Sequence, residues 1–116
     1  MNNNSSNLGY VYFFLNINDN TIKIGFTKNL EHRRKSLSTG SSGKLALLGY
    51  IIGNISLEKE LHKRFGNLRI RHNGEWFRVS KDLLVYINNN NAIKTNWIEM
   101  DELSGKVNIY KRMKNF

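Results

Sequence analysis

A single α/β domain, a three-stranded and mostly antiparallel sheet flanked by helices, is the fold class that the sequence predicts, and three observations carry it. Two aromatic and β-branched runs, residues 9–17 (GYVYFFLNI) and 21–27 (TIKIGFT), are separated only by the turn formers Asn18, Asp19 and Asn20. A third run, residues 44–55 (KLALLGYIIGNI), is apolar over the length of a strand. Segments with helical spacing follow the second and third runs. A chain of 116 residues can bury roughly two-thirds of its unfolded surface, and without cysteine this one must rely on that core rather than on disulfides.

In chain order, residues 1–8 read as a disordered polar tail that lacks the basic and apolar regions of a signal peptide. The first strand has the composition of one buried on both faces. A two-residue or four-residue turn puts Tyr10 and Tyr12 on the same sheet face as Lys23 and Gly25, and a three-residue turn reverses this. Glycine inside a strand costs roughly 0.5–1 kcal/mol, so Gly25 implies either a bulge or the close approach of another group. With Thr27 as the expected N-cap, residues 29–37 (NLEHRRKSL) read as a helix with Leu30 and Leu37 inward. Arg33 lies on that stripe, where a guanidinium either meets an anion or snorkels to the edge.

Residues 38–43 (STGSSG) read as a flexible loop and the run 44–55 as a central or doubly covered strand. Ser56 is the expected cap of a helix over residues 56–65 (SLEKELHKRF), which sets Glu58 in line with Leu61, His62 and Phe65. Gly66 is its expected C-cap. Residues 68–80 read as a basic, strand-like segment around an Asn73-Gly74 turn, and residues 81–87 as a short apolar helix ended by the asparagine run 88–91. The expected domain spans residues 9–92. Residues 93–116 are an extension with enough apolar side chains to dock as a helix or a hairpin, and its last residues, 110–116, are basic and expected to fray.

Eighteen Lys and Arg against nine Asp and Glu give a formal net charge of +9, which favours an acidic polymer, nucleic acid first, as partner. No apolar run approaches membrane-spanning length, so no membrane partner is expected. Cysteine-based zinc sites and thiolate chemistry are excluded by composition, and His32, His62 and His72 lack metal-site spacing. The absence of cysteine fits an intracellular protein, in cytoplasm or nucleus. The richness in Asn, Lys and Ile is that of an AT-rich coding sequence, such as that of a large DNA virus acting at its replication site.

YVY at residues 10–12, KIG beginning eleven positions after Tyr12, Arg33 eight positions after Gly25, LEKELHKRF at 57–65 and GEWF at 74–77 together resemble the GIY-YIG nuclease superfamily, in its small phage and meiotic-gene branch. The resemblance covers about residues 9–79. It implies a divalent-metal-dependent DNA endonuclease. Tyr12 matches the tyrosine of GIY, which positions or deprotonates the attacking water, and Arg33 matches the helix arginine on the scissile phosphate. Lys23 stands where the tyrosine of YIG usually stands, and lysine can hold a phosphate or polarise a water. Glu58 matches the metal ligand, with His62 beside it as a further catalytic candidate. Tyr10 replaces the glycine of GIY, and Leu37 falls where many members carry Tyr or His.

A single carboxylate with waters and substrate phosphate is ordinary magnesium coordination, and manganese could substitute. The residues expected along the DNA are Tyr10, Gly25, Arg34, Lys44, Arg69, Arg71, Glu75 and Arg78, and Glu75 is also a candidate for a catalytic or structural part. One active site cutting both strands implies a homodimer, re-docking or a partner protein. The alternative is a DNA-binding module of the same fold that cleaves nothing. Neutralising about five phosphates would give either protein a salt slope of roughly −4.5. A structural protein binding partners through its aromatics would show no such slope.

Overall fold

The computed structural model describes residues 7–40, 44–72 and 74–112, the side chains of 38–40 excepted. Residues 1–6 of the expected tail at 1–8, residues 41–43 of the expected loop at 38–43, Asn73 and the last four residues lie outside the described residues. β1 (Gly9–Asn16) and β2 (Thr21–Thr27) form the hairpin, joined by the four-residue turn 17–20 in which Asn20 takes the left-handed φ of 56°. Asn16 Oδ1 accepts from the Asp19 N–H at 3.1 Å, closing that turn. The register sets Tyr10 opposite Thr27, Tyr12 opposite Gly25 and Phe14 opposite Lys23. Tyr10, Tyr12, Lys23 and Gly25 therefore share one face.

The sheet has four strands, in the order β3-β1-β2-β4, where three were expected. β3 (Leu45–Gly53) pairs antiparallel with β1, and the added strand β4 (Trp76–Arg78) pairs antiparallel with β2. β3 is thus an edge strand rather than a central one. Its apolar run is explained by side chains that pack on both sides, with an irregularity opposite Phe13 and Phe14 that inserts Leu48, fully buried, into the core.

α1 (Leu30–Gly40), α2 (Ile55–Arg64) and α3 (Lys81–Asn90) complete the layers. Each begins at a residue whose side chain meets an orphan first-turn N–H. For α1 that residue is Asn29, whose Oδ1 accepts from His32 at 2.9 Å, while Thr27, the expected cap, accepts the Asn29 N–H at 3.1 Å one step earlier. For α2 it is Asn54 rather than Ser56, since Asn54 Oδ1 reaches the Leu57 N–H at 3.2 Å. Phe65 caps the C-terminus of α2, and Gly66 opens a short 3₁₀ turn instead. α1 runs through Gly40, past the expected end at Leu37, and α3 absorbs Asn88, Asn89 and Asn90.

The main core lies on the face opposite Tyr12. Val11, Phe13, Leu15, Ile22, Ile24 and Phe77 meet Leu61 and Phe65 of α2 and Leu83, Leu84 and Ile87 of α3. Each such side chain contributes roughly 1.5–3 kcal/mol on burial. The chain then forms a second, two-stranded sheet from β5 (Asn96–Met100) and β6 (Val107–Lys111), so the extension is a hairpin. Ile98 enters the core, and Asn88 brackets it by donating to Ile98 O at 2.8 Å and accepting from Ile98 N at 2.9 Å. At the hairpin's other end Asn20 donates to Gly105 O at 2.8 Å.

Candidate active site

The site begins with a strand pair that has no room for a side chain on β2. Tyr12 lies across Gly25, and a methyl group built at residue 25 would overlap the Tyr12 hydroxyl and ring. Of the two readings of Gly25, close approach is the one observed. Phe14 packs edge-on to Tyr12 with ring centroids 5.3 Å apart, and Tyr12 is fully buried.

The turn after β2 aims α1 back over this face, so Arg33 Nη1 donates to the Tyr12 hydroxyl at 3.3 Å. Among the described residues no carboxylate lies within ion-pair distance of Arg33. The price of placing a guanidinium on the inward stripe is met by a phenol, which leaves the positive charge uncompensated. Burial pushes the Tyr12 hydroxyl above its ordinary pKa, with the charge and hydrogen bond of Arg33 opposing and Glu75 and Glu58 reinforcing. Tyr12 is therefore a neutral phenol at neutral pH.

α2 lies against β2, and the Ile24 peptide joins the parts. Its N–H donates to Glu75 O at 2.9 Å, and its carbonyl is 2.7 Å from His62 Nε2. A carbonyl only accepts, so that ring nitrogen carries a proton. The imidazole also packs on Phe77, with centroids 5.1 Å apart. One turn earlier on α2, Glu58 is 8% exposed, and the nearest polar partner of its carboxylate is His62 Nε2 at 4.0 Å. Burial raises the Glu58 carboxyl above the usual range; Glu75 adds to this, and His62, Lys59 and Lys23 oppose it.

Lys23 completes the group. Its ammonium is 3.0 Å from Glu75 Oε1 and 5.4 Å from the centre of the Trp76 ring. β1, β2, α1, α2 and the segment before β4 thus bring together Tyr12, Lys23, Gly25, Arg33, Glu58, His62 and Glu75. The remaining expected residues fall outside this group. Tyr10 meets Tyr50 edge-on at 5.4 Å and shares a shallow groove with Lys28 and Arg34, and Arg34 is paired with Glu31 at 2.8 Å. Lys44 is exposed at the hairpin end of the sheet, and Arg71 is exposed on the loop before β4.

Arg69 and Arg78 have structural partners. Arg69 donates to His72 O at 2.7 Å and stacks on Phe77, while its Nε is buried without a partner. Arg78 donates to Asn67 O at 3.0 Å. Two participants were not foreseen: the Ile24 peptide, which carries no side-chain signal, and Trp76, which was legible only as the aromatic of GEWF.

Glu58 could hold a hard divalent cation, since it offers one carboxylate with no hydrogen bond to lose, within electrostatic reach of Lys23. Among the described residues no three His, Asp or Glu side chains converge into a closed cage. No helix among the described residues is long and apolar enough to cross a membrane.

In comparison with known protein families, the T5orf172 domain model matches residues 9–103. No curated protein and no solved structure matches the chain. That match takes in the hairpin, all three helices and β5, and the chain belongs to the T5orf172 domain family, a phage-associated family related to the GIY-YIG nuclease-like fold.

Proposed function

We propose that the protein is a divalent-metal-dependent DNA endonuclease of the GIY-YIG type that hydrolyses a phosphodiester at the site formed by Tyr12, Lys23, Arg33 and Glu58. The observation that carries the reading is the uncompensated Arg33 guanidinium, held by Tyr12 at 3.3 Å on the sheet face of Lys23, with Glu58 of α2 close enough to act electrostatically on Tyr12 and to feel Lys23. A phosphate entering there meets a planar donor fork prepared for its non-bridging oxygens. Family membership and the net charge of +9 support the same reading.

In this mechanism Arg33 neutralises charge on the phosphoryl oxygens and Lys23 holds the phosphate or the water from the other side. Tyr12, as a phenol of raised pKa, positions Arg33; it does not remove a proton at neutral pH. Glu58 would hold magnesium, or manganese in its place, which when bound supplies Lewis-acid charge stabilisation on the phosphate and departing oxygen. His62, with Nε2 committed to the Ile24 carbonyl, positions α2 and therefore Glu58. Glu75 positions Lys23. The intracellular site of action, a phage or other mobile-element role, and a homodimer or partner for double-strand cleavage are part of this proposal.

One observation favours the non-cleaving alternative: Tyr12 is sealed from solvent beneath Arg33. Supercoiled plasmid with magnesium separates the two. The nuclease reading expects nicking by the wild type and none by Glu58→Ala, with the variant's DNA retardation kept or increased. A binding module would retard DNA in both forms and cut it in neither.

A further inference from the structure

Beside Lys23 the same face opens into a cleft of about 690 Å³, within the roughly 300–1,000 Å³ of small-ligand sites. Its walls come from the end of the hairpin, the last turns of α1 and the loop before β4. Leu37, Ile70 and Trp76 give it an apolar surface, Arg71 and the Glu75-paired Lys23 stand in it as cations, Asp19 adds one carboxylate at its hairpin end, and Asn16 supplies an amide. No role has been given to this volume in the reaction, although it shares Lys23 with the candidate active site.

An aromatic ring, two cations and an amide around a space of nucleotide size match the two halves of a nucleotide: a flat π-face and an anion. Paired bases in a duplex are stacked on their neighbours and present no face to a tryptophan. We propose that this cleft receives one unpaired nucleotide of the DNA beside the scissile phosphate, its base against Trp76 and its phosphate within reach of Lys23 and Arg71. The preferred substrate is then DNA carrying a single-stranded, displaced or mismatched nucleotide at the cutting site. This rests on the reading of the Tyr12 face as the one that meets DNA.

The chain has two tryptophans, so Trp97→Phe leaves Trp76 as the sole indole reporter. The test uses that variant, with Glu58→Ala added and no metal present, titrated with a short oligothymidylate or with duplex of equal length. Binding is followed separately by anisotropy of a label on the DNA. The expected result is saturable quenching of Trp76 emission by the single strand and not by the duplex. Trp76→Ala should weaken single-strand binding roughly 5- to 150-fold, the effect of losing one stacked base. Trp76→Phe should retain most of the affinity, and Arg71→Ala should weaken binding without altering the fold.

Unchanged Trp76 emission at saturating single strand, or equal affinity of the Trp76→Ala and Trp76→Phe variants, overturns the proposal. The outcome is independent of cleavage. A protein that cuts plasmid without a Trp76 response loses the pocket and keeps the nuclease reading, whereas quenching in a protein that cuts nothing keeps the pocket and removes the nuclease.

Discussion

Replacing Gly25 by alanine tests the packing on which the whole site stands. The added Cβ would lie inside the van der Waals envelope of the Tyr12 hydroxyl and ring, and 2.8 Å from Cε1, closer than such contacts occur. Tyr12 has no easy retreat, being fully buried, flanked by Phe14 and capped by Arg33. Overpacking of this kind costs about 1–3 kcal/mol. Against that, alanine restricts the unfolded chain and returns about 0.4–1 kcal/mol where its backbone is unstrained. The expected net loss is about 1–2 kcal/mol. The control is the same substitution in a Tyr12→Val background, where the obstructing ring is gone and alanine should be neutral or stabilising by up to about 1 kcal/mol. Urea unfolding of the four proteins gives the coupling directly. Equal cost in both backgrounds, or no cost in the first, would refute the claim that Gly25 exists to admit Tyr12.

Other consequences concern the scaffold and the charges. Asn91, 4% exposed, donates to Leu48 O and accepts from the Tyr50 and Ile93 N–H groups, and its side chain fills the space over Gly49. Asn91→Ala leaves several backbone groups without partners and should cost about 2–4 kcal/mol in urea unfolding, whereas a loss below about 1 kcal/mol would contradict this role. Glu58 has its carboxyl raised in the folded protein by burial, so ionising it costs the native state more than the unfolded one. The Glu58 contribution to wild-type stability in chelator should therefore fall as pH rises from the ordinary value of 4.5 through the raised one, and Glu58→Gln should gain on wild type over that interval and match it below. Melting temperature against pH checks the sign, and a wild type that gains on the variant as pH rises would reverse it. Tyr12→Phe removes the acceptor that holds Arg33 and should slow cleavage by roughly tenfold or more, with little change in the salt dependence of DNA binding; an unchanged single-turnover rate would rule out this positioning.

The hairpin was the most legible part of the fold because its two strands carry consistent signals: aromatic and β-branched runs, three turn formers and one glycine. Four turn residues gave the parity that sets Tyr12 over Gly25. The strand-like character of residues 68–80 was legible, but not that Trp76–Arg78 joins the main sheet as β4, since three residues are held there only by pairing with β2 and by the bridge from Arg69 to Phe77. The helix starts slipped for a local reason: Thr27 and Ser56 are good caps, but Asn29 and Asn54 stand where the chain first turns, and an asparagine side chain reaches an N–H as well as a hydroxyl does. The asparagine run reads as a stop by propensity. Tertiary partners override it, as Asn88 holds β5 and Asn91 braces β3.

Within the site, Arg33 was legible from its place on the inward stripe of α1, and Tyr12 and Glu58 only through the family resemblance. The sequence could not indicate that Arg33 rests on Tyr12, that His62 spends its Nε2 on the Ile24 carbonyl, or that Lys23 is shared between Glu75 and Trp76. Those are contacts between elements distant in sequence, and their distances depend on how α1 and α2 dock. The same limit applies to Arg69 and Arg78. In sequence they extend a basic patch, whereas in the fold they donate to the carbonyls of His72 and Asn67.

The central claim, that Glu58 makes this site a metal-dependent nuclease, is tested most directly by single-turnover cleavage of labelled DNA against magnesium concentration, comparing wild type with Glu58→Gln. The account predicts a wild-type rate that rises with magnesium and saturates, and a Glu58→Gln rate lower by about a hundredfold or more at every concentration, with DNA affinity retained. Equal rates for the two proteins, or no cleavage by a wild type that binds the DNA tightly, would contradict it.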